Sequence, residues 1–479
     1  MNYSMIAYII GWLLNIEAAF MILPCITGLI YRESSVKAFL ITMGVCLLIG
    51  LPLTRKKPEN KTFFTRDGFI TVALCWIIMS IMGGLPFLFS GVITNPVDAL
   101  FETVSGFTTT GASILTEVET VPKSILFWRS FTHWIGGMGV IVFLLTLLPM
   151  SGGSHMSLMK AESPGPSVSR LVPKVKSTAK ILYLIYLGMS IVELILLLAG
   201  GMPLFDSLTT MFGTAGTGGF GIKNDSMAGY STYLQVVVTV FMILFGVNFN
   251  VYFLILMKKP LQALKSTELR AYLGIIGAAI LIIAFNITHL FGSFFTALQQ
   301  SAFQVASIIT TTGYATTDFN LWPECSRTIL VMLMFVGACA GSTGGGIKVS
   351  RFVILLKTVN KELKQYLHPK SIKKIKMDGK MVEHEVVRST NVFIISYLLI
   401  FSFSILALSP DELDLITNFT AVAATFNNIG PGLELVGPSS NFSGFSDWST
   451  LVLTFDMLAG RLEIFPLLLL FRKDTWQKF

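Results

Sequence analysis

Long apolar runs separated by short basic clusters dominate the chain. Runs long enough to span about 30 Å of hydrocarbon lie near 5–31, 37–53, 68–91, 124–149, 179–201, 231–257, 270–292, 326–347, 391–409 and 448–471. They predict ten membrane spans, the second of them short. After the first two, the other eight fall into four pairs, and between the members of each pair lies a connection that is neither a plain loop nor a full span. The four read NPVDALFETVSGFTTTGASIL, PLFDSLTTMFGTAGTGGFGIKN, SFFTALQQSAFQVASIITTTGYATTDF and DELDLITNFTAVAATFNNIGPGLEL. Each opens with an amphipathic stretch of about three helical turns, too short to cross, and then reaches a segment rich in Thr and Gly or Asn and Gly. Internal repetition of this kind divides the chain into two N-terminal helices (1–66) and four repeats (67–178, 179–268, 269–387 and 388–479).

Aligned on one glycine, the four segments are Thr108-Thr109-Thr110-Gly111, Gly216-Thr217-Gly218-Gly219, Thr310-Thr311-Thr312-Gly313 and Asn427-Asn428-Ile429-Gly430. A half-helix that stops inside the membrane aims its partly negative C-terminal end at the bilayer interior. Irregular backbone after it is tolerated at that depth only where it lines a cavity. Glycine permits dihedrals that turn successive carbonyls toward one axis. Four such loops would ring that axis with oxygens able to replace the hydration shell of a monovalent cation.

Composition makes lipid the solvent. Of 479 residues, 53% are hydrophobic and 13% charged, where a soluble domain carries about 25% charged residues. The N-terminal apolar run is too long for a signal-peptide core and is expected to be a retained helix. Basic residues collect on one face: the connections after spans two, four, six and eight and the C-terminal tail hold 28 of the 35 lysines and arginines. That face is expected to be cytoplasmic, with both termini on it; Arg32 and Lys37, in the first short loop, are exceptions. The net charge of +8 then follows from topology and anionic lipid, and no nucleic-acid partner is expected. The five cysteines and five histidines show no disulfide or metal-site spacing.

The repeats resemble the Trk/Ktr/HKT superfamily of potassium transporters, and most of all its bacterial TrkH branch. HWIGGMG at 133–139, AESPGP at 161–166, GSTGGGIKVSR at 341–351 and GRLEIFP at 460–466 stand at the places that branch has them. The resemblance covers nearly the whole chain. It implies an all-α polytopic membrane protein with four membrane–pore-loop–membrane repeats in pseudo-fourfold order around one pore, preceded by two extra transmembrane helices. It implies a K⁺ filter at Thr109, Thr110, Gly111, Thr217, Gly218, Gly219, Thr311, Thr312, Gly313, Asn428, Ile429 and Gly430. Glycine at the key position of every repeat goes with potassium selectivity in this family. The second loop departs from the pattern in being unusually glycine-rich, and the fourth in using Asn-Asn-Ile.

Residues 337–348, GACAGSTGGGIK, would unravel a helix, since each glycine costs about 1 kcal/mol relative to alanine. In TrkH-like proteins the matching segment obstructs the pore below the filter. Gly341, Ser342, Thr343, Gly344, Gly345 and Gly346 are therefore the expected gate, with tight small-residue helix packing as the alternative. A phosphate-binding loop is excluded, because Lys348 follows Ile347 and precedes Val349. Arg461 lies in mid-span, where a charge is costly and functional by default. The resemblance sets it beside the pore as a barrier to cations; an ion pair with Glu463 or with an acid on another helix is the alternative. Asn248 and Asn250 either face the pore or hydrogen-bond between helices. Glu117, Glu119, Asp225, Asp318, Glu324, Glu434 and Asp447, in the outward connections, suggest a negative vestibule or a merely solvated rim.

The resemblance further implies a homodimer in the bacterial cytoplasmic (inner) membrane and a cytosolic TrkA-like nucleotide-binding regulatory subunit. The basic segment 357–388 could dock such a partner or contact membrane lipid headgroups. K⁺ is the transported ion, and no organic cofactor is expected in this chain. Coupling of K⁺ to H⁺ or Na⁺ on the same fold stays open. An alternating-access transporter predicts two related halves rather than four quarters. An enzyme would need a catalytic pair at membrane depth, and His133 near Ser130 does not amount to one.

Overall fold

The computed structural model describes residues 1–59, 64–137, 139, 175–369 and 374–477. AESPGP at 161–166 and the basic residues Lys61, Lys160, Arg170, Lys174, Lys370, Lys373 and Lys478 lie outside the described residues. The described part is helical apart from its connections and one short hairpin, Lys376–Met377 with Lys380–Met381, in the basic segment.

Apolar runs become helices because in hydrocarbon the backbone must satisfy its own N–H and C=O groups. Among the described residues six helices are long and apolar enough to cross alone: Tyr3–Ile30, Val36–Arg55, Thr65–Ser90, Lys180–Ala199, Thr267–Phe291 and His384–Asp411. Thr232–Phe245 and Phe249–Leu256, bent by 90°, make a seventh if taken together. The other runs read from the sequence differ for identifiable reasons. Run 124–149 is described as Lys123–Gly137, and most of the rest lies outside the described residues. Run 326–347 is helical only over Glu324–Val336, because Gly337 takes φ +71° and the glycine-rich stretch follows. Run 448–471 splits into Asp447–Arg461 and Phe465–Phe471 where Glu463 and Ile464 adopt left-handed backbone. Apolar flanks keep the average hydropathy high across the breaks.

The four amphipathic stretches form short helices, Pro96–Phe107, Leu204–Gly216, Phe294–Ile309 and Leu415–Phe426. The first has Asn95 as N-cap, accepting from Val97 N, and Pro96 at its first position. The fourth has Asp414 accepting from Thr417 N at 2.9 Å. Both are standard ways of satisfying orphan N–H groups. Partial burial opposes ionisation of Asp414, but the donors of Thr417 outweigh it and hold its carboxyl below the usual carboxylate range.

Packing follows a cyclic order. Lys123–Gly137 lies against the second short helix, Thr232–Phe245 against the third, Glu324–Val336 against the fourth, and Asp447–Arg461 against the first. The last contact returns to the start, so the ring closes. Tyr3–Phe20 packs on Val36–Arg55 and Thr65–Ser90. Polarity is inverted relative to a water-soluble protein. Leu48, Phe285, Phe295 and Leu399 are exposed, while Thr108–Thr110, Thr310–Thr312, Asn427 and Asn428 are wholly buried. Lipid favours the first arrangement, and only a polar interior permits the second.

Candidate ion pathway

The four short helices end in the same way. Thr110 N donates to Ser105 O, Gly218 N to Gly213 O, Thr312 N to Ser307 O and Ile429 N to Ala424 O, all at 2.8–2.9 Å. One residue earlier, Thr109 N reaches Gly106 O, Thr217 N reaches Thr214 O, Thr311 N reaches Ile308 O and Asn428 N reaches Thr425 O, each at 3.1 Å. This pair of bonds is a Schellman closure, which requires a left-handed residue just past the helix, usually glycine. Here the residue is threonine three times and asparagine once: Thr109, Thr217, Thr311 and Asn428 have φ of 57°, 57°, 59° and 56°. Left-handed backbone costs a β-branched residue about 1–2 kcal/mol, so its repetition needs a compensating use for the side chain. Such uses are present: Thr311 Oγ1 accepts from Gly345 N at 2.6 Å, and Asn428 Nδ2 donates to Thr110 Oγ1 at 3.0 Å.

Two residues on, Gly111, Gly219, Gly313 and Gly430 have φ of 83°, 67°, 86° and 99°. They are also the points at which the loops touch. A Cβ on Gly111 would fall on the Gly218 carbonyl oxygen, one on Gly219 on that of Thr312, and one on Gly313 on that of Ile429. A Cβ on Gly430 would lie 2.8 Å from Thr110 O, which closes the circle. All twelve predicted filter residues are thus brought together. Hydroxyl pairs brace two of the loops, Thr108 with Thr110 at 2.8 Å and Thr310 with Thr312 at 2.7 Å.

The glycine-rich loop lies directly against this ring. Besides its bond to Thr311, it brings Gly344 close to Thr310 O and Gly345 close to Asn427 O, with no room for a Cβ at either. Its other side is held by the break in the preceding repeat: Cys339 N donates to Gly246 O at 3.0 Å, and Phe249 N to Gly341 O at 3.0 Å. Glu268 accepts from Ala340 N at 2.7 Å. Lys348 Nζ donates to Gly344 O.

Arg461 joins three repeats. Its guanidinium donates to Thr343 O at 2.9 Å, Thr109 Oγ1 at 3.3 Å and Gly137 O at 3.2 Å, and also to Gly136 O. Glu463 turns to Arg351 instead, so the adjacent-acid ion pair is not formed. Asn248 caps Phe249–Leu256 and approaches Glu268 at 3.5 Å, as expected for a hydrogen bonder between helices. The acids of these connections serve mainly to tie the connections together. Glu324 and Glu434 flank Arg327, Asp447 accepts from Asn95 Nδ2 at 2.7 Å, and Asp318 accepts from Ser439 Oγ at 2.7 Å.

Two contacts had no signal in the motif reading. Glu102 and Arg129 form a buried ion pair at 2.5 Å, and Glu102 also accepts from Ile114 N at 2.9 Å, just past the first loop. The Arg129 guanidinium covers the Phe220 ring at 3.6 Å. Charge pairing across 27 positions has no periodicity to announce it.

A family model described as TrkH, cation transport protein, matches residues 35–478. The chain belongs to this family. It is 36% identical over its whole length, and over the whole of the relative, to the Trk system potassium uptake protein TrkH of Salmonella typhimurium. It is 34% identical to TrkG of Escherichia coli, with 99% of each chain covered. The crystal structure of the potassium transporter TrkH from Vibrio parahaemolyticus matches all of it with a TM-score of 0.89 at 34% identity. These relatives are named as transport proteins, not enzymes, and the protein is a multi-pass membrane protein of that kind.

Proposed function

We propose that this protein takes up K⁺ across the bacterial cytoplasmic membrane through one pore formed by the four repeats, 67–178, 179–268, 269–387 and 388–479, in pseudo-fourfold order. The two N-terminal helices, 1–66, are additions outside that order. The filter is the backbone of Thr109–Gly111, Thr217–Gly219, Thr311–Gly313 and Asn428–Gly430, whose carbonyls replace the ion's water. The observation that carries this reading is the circle in which each key glycine abuts the carbonyl of the next repeat. Gly341–Gly346 is the gate, which lies against the filter base, and Arg461 holds it through Thr343 O while adding a positive charge beside the path. The relatives' names supply potassium as the cargo. The basic face is cytoplasmic, the working unit is a homodimer, and a cytosolic TrkA-like subunit regulates opening.

The test is ⁸⁶Rb⁺ uptake into proteoliposomes with competing K⁺ or Na⁺. Replacing Gly111, Gly219, Gly313 or Gly430 with serine forces a side chain onto left-handed backbone and toward a neighbouring carbonyl. K⁺ over Na⁺ discrimination is expected to fall in each variant. Native discrimination in all four would remove these loops from the filter.

A further inference from the structure

The second loop lacks the hydroxyl pair that braces the first and third. Where those have Thr108 with Thr110 and Thr310 with Thr312, it has Gly216 and Gly218. The space is taken by His133, from the helix Lys123–Gly137 of the preceding repeat. A Cβ on Gly218 would overlap the imidazole at Cγ and Nδ1, and one on Gly216 would overlap the His133 carbonyl. The ring is fully buried and lies 4.2 Å from the Phe220 ring, centroid to centroid.

Its two nitrogens have different partners. Phe220 N donates to Nε2 at 3.3 Å, so Nε2 carries no proton. The proton is therefore on Nδ1, which donates to Gly106 O at 2.7 Å. Gly106 O is the carbonyl that closes the first short helix, since it also accepts from Thr109 N. Phe220 directly follows Gly219. One neutral imidazole thus links the end of the first short helix to the backbone just past Gly219 of the second loop.

We infer that His133 is a positioning residue for selectivity: it replaces the missing threonine clasp of the second loop and fixes that loop's carbonyls relative to the first. This also accounts for Gly218, which leaves room for the ring, and for Gly216, which leaves room for the His133 backbone, while Gly219 is the key glycine common to all four loops. The inference rests on the filter reading above.

A double-mutant cycle tests it, because groups in contact couple and separate ones do not. In ⁸⁶Rb⁺ uptake with K⁺ or Na⁺ competition, His133→Ala is expected to lower discrimination by about fivefold or more. Gly218→Ala, which drives a methyl into the ring, is expected to do the same. Combined, the two should be no worse than His133→Ala alone, because the ring that clashed is gone. Independent, multiplying effects in the double variant would overturn the inference, as would native discrimination in His133→Ala. Should His133→Ala not reach the membrane, the same cycle is run on His133→Ser, which leaves a smaller void. Loss of discrimination in Gly111→Ser with none in the His133 variants overturns only this inference. A wild-type protein that does not discriminate at all overturns the filter reading itself.

Discussion

Arg461 offers the sharpest separation of charge from tether. Replacing it with alanine removes a positive charge from the proposed path and also removes its bond to Thr343 O, at 2.9 Å a direct hold of the guanidinium on the proposed gate loop. A hydrogen bond to a charged group contributes about 1.5–3 kcal/mol. If the loop surrenders that bond on opening, its loss shifts the closed–open balance by roughly 10- to 100-fold. The contacts to Gly136 O, Gly137 O and Thr109 Oγ1 do not involve the loop, so their loss affects stability rather than gating. The assay is initial ⁸⁶Rb⁺ flux in proteoliposomes at matched protein density, with thermal unfolding in detergent measured alongside. Arg461→Ala should raise the flux. Arg461→Lys keeps the charge but not the fork, and Arg461→Gln keeps polar reach but not the charge. A pure charge barrier predicts that lysine stays slow and glutamine is fast; a pure tether predicts that both are intermediate. Unchanged flux in a folded Arg461→Ala protein would refute both.

Two further outcomes follow from contacts around the ring. Gly345→Ala pushes a methyl toward Asn427 O and the Asn428 side chain; it should lift the loop off the filter base, raising basal ⁸⁶Rb⁺ leak severalfold, and unchanged leak would place the loop elsewhere during conduction. Glu102→Gln leaves Arg129 buried without its counter-charge, and breaking a buried pair costs about 3–5 kcal/mol; a clear drop in detergent unfolding temperature is expected, larger than for disrupting the exposed pair of Arg472 and Asp474.

Much of this was legible in the sequence because the repeat writes the same local physics four times. Short amphipathic stretches and key glycines stood at constant places, and the backbone adopts the same left-handed steps there. Two things were hidden. The helix breaks at Gly246 and Glu463–Ile464 had no signal in the apolar pattern, so runs that look like single spans are bent or cut; the break at Gly337, by contrast, is the one the glycine-rich stretch 337–348 announces. The left-handed threonines were also invisible, because propensity assigns that conformation to glycine. Threonine stands there for its hydroxyl, which reaches Gly345 N from Thr311 and Arg461 from Thr109. Long-range partners such as Glu102 with Arg129, or His133 with Phe220, follow from the ring closing and not from any local pattern.

One chain that supplies all four loops can brace each differently, as four identical subunits cannot. The first and third loops are clasped by threonine pairs, the second by an imidazole, and the fourth by Asn427 bonded to Tyr397 at 2.9 Å, with Asn428 reaching across to Thr110. The backbone closure is the same in every case, so the oxygens' spacing is set by a shared motif and its stiffness by individual side chains. The proposed gate is lopsided for the same reason: the glycine-rich loop belongs to one repeat and leans on the third and fourth loops, while Arg461 comes from the fourth repeat and reaches the first. Perturbing a side-chain brace in one repeat should therefore alter selectivity or gating separately, whereas perturbing a key glycine in any repeat should damage the whole ring.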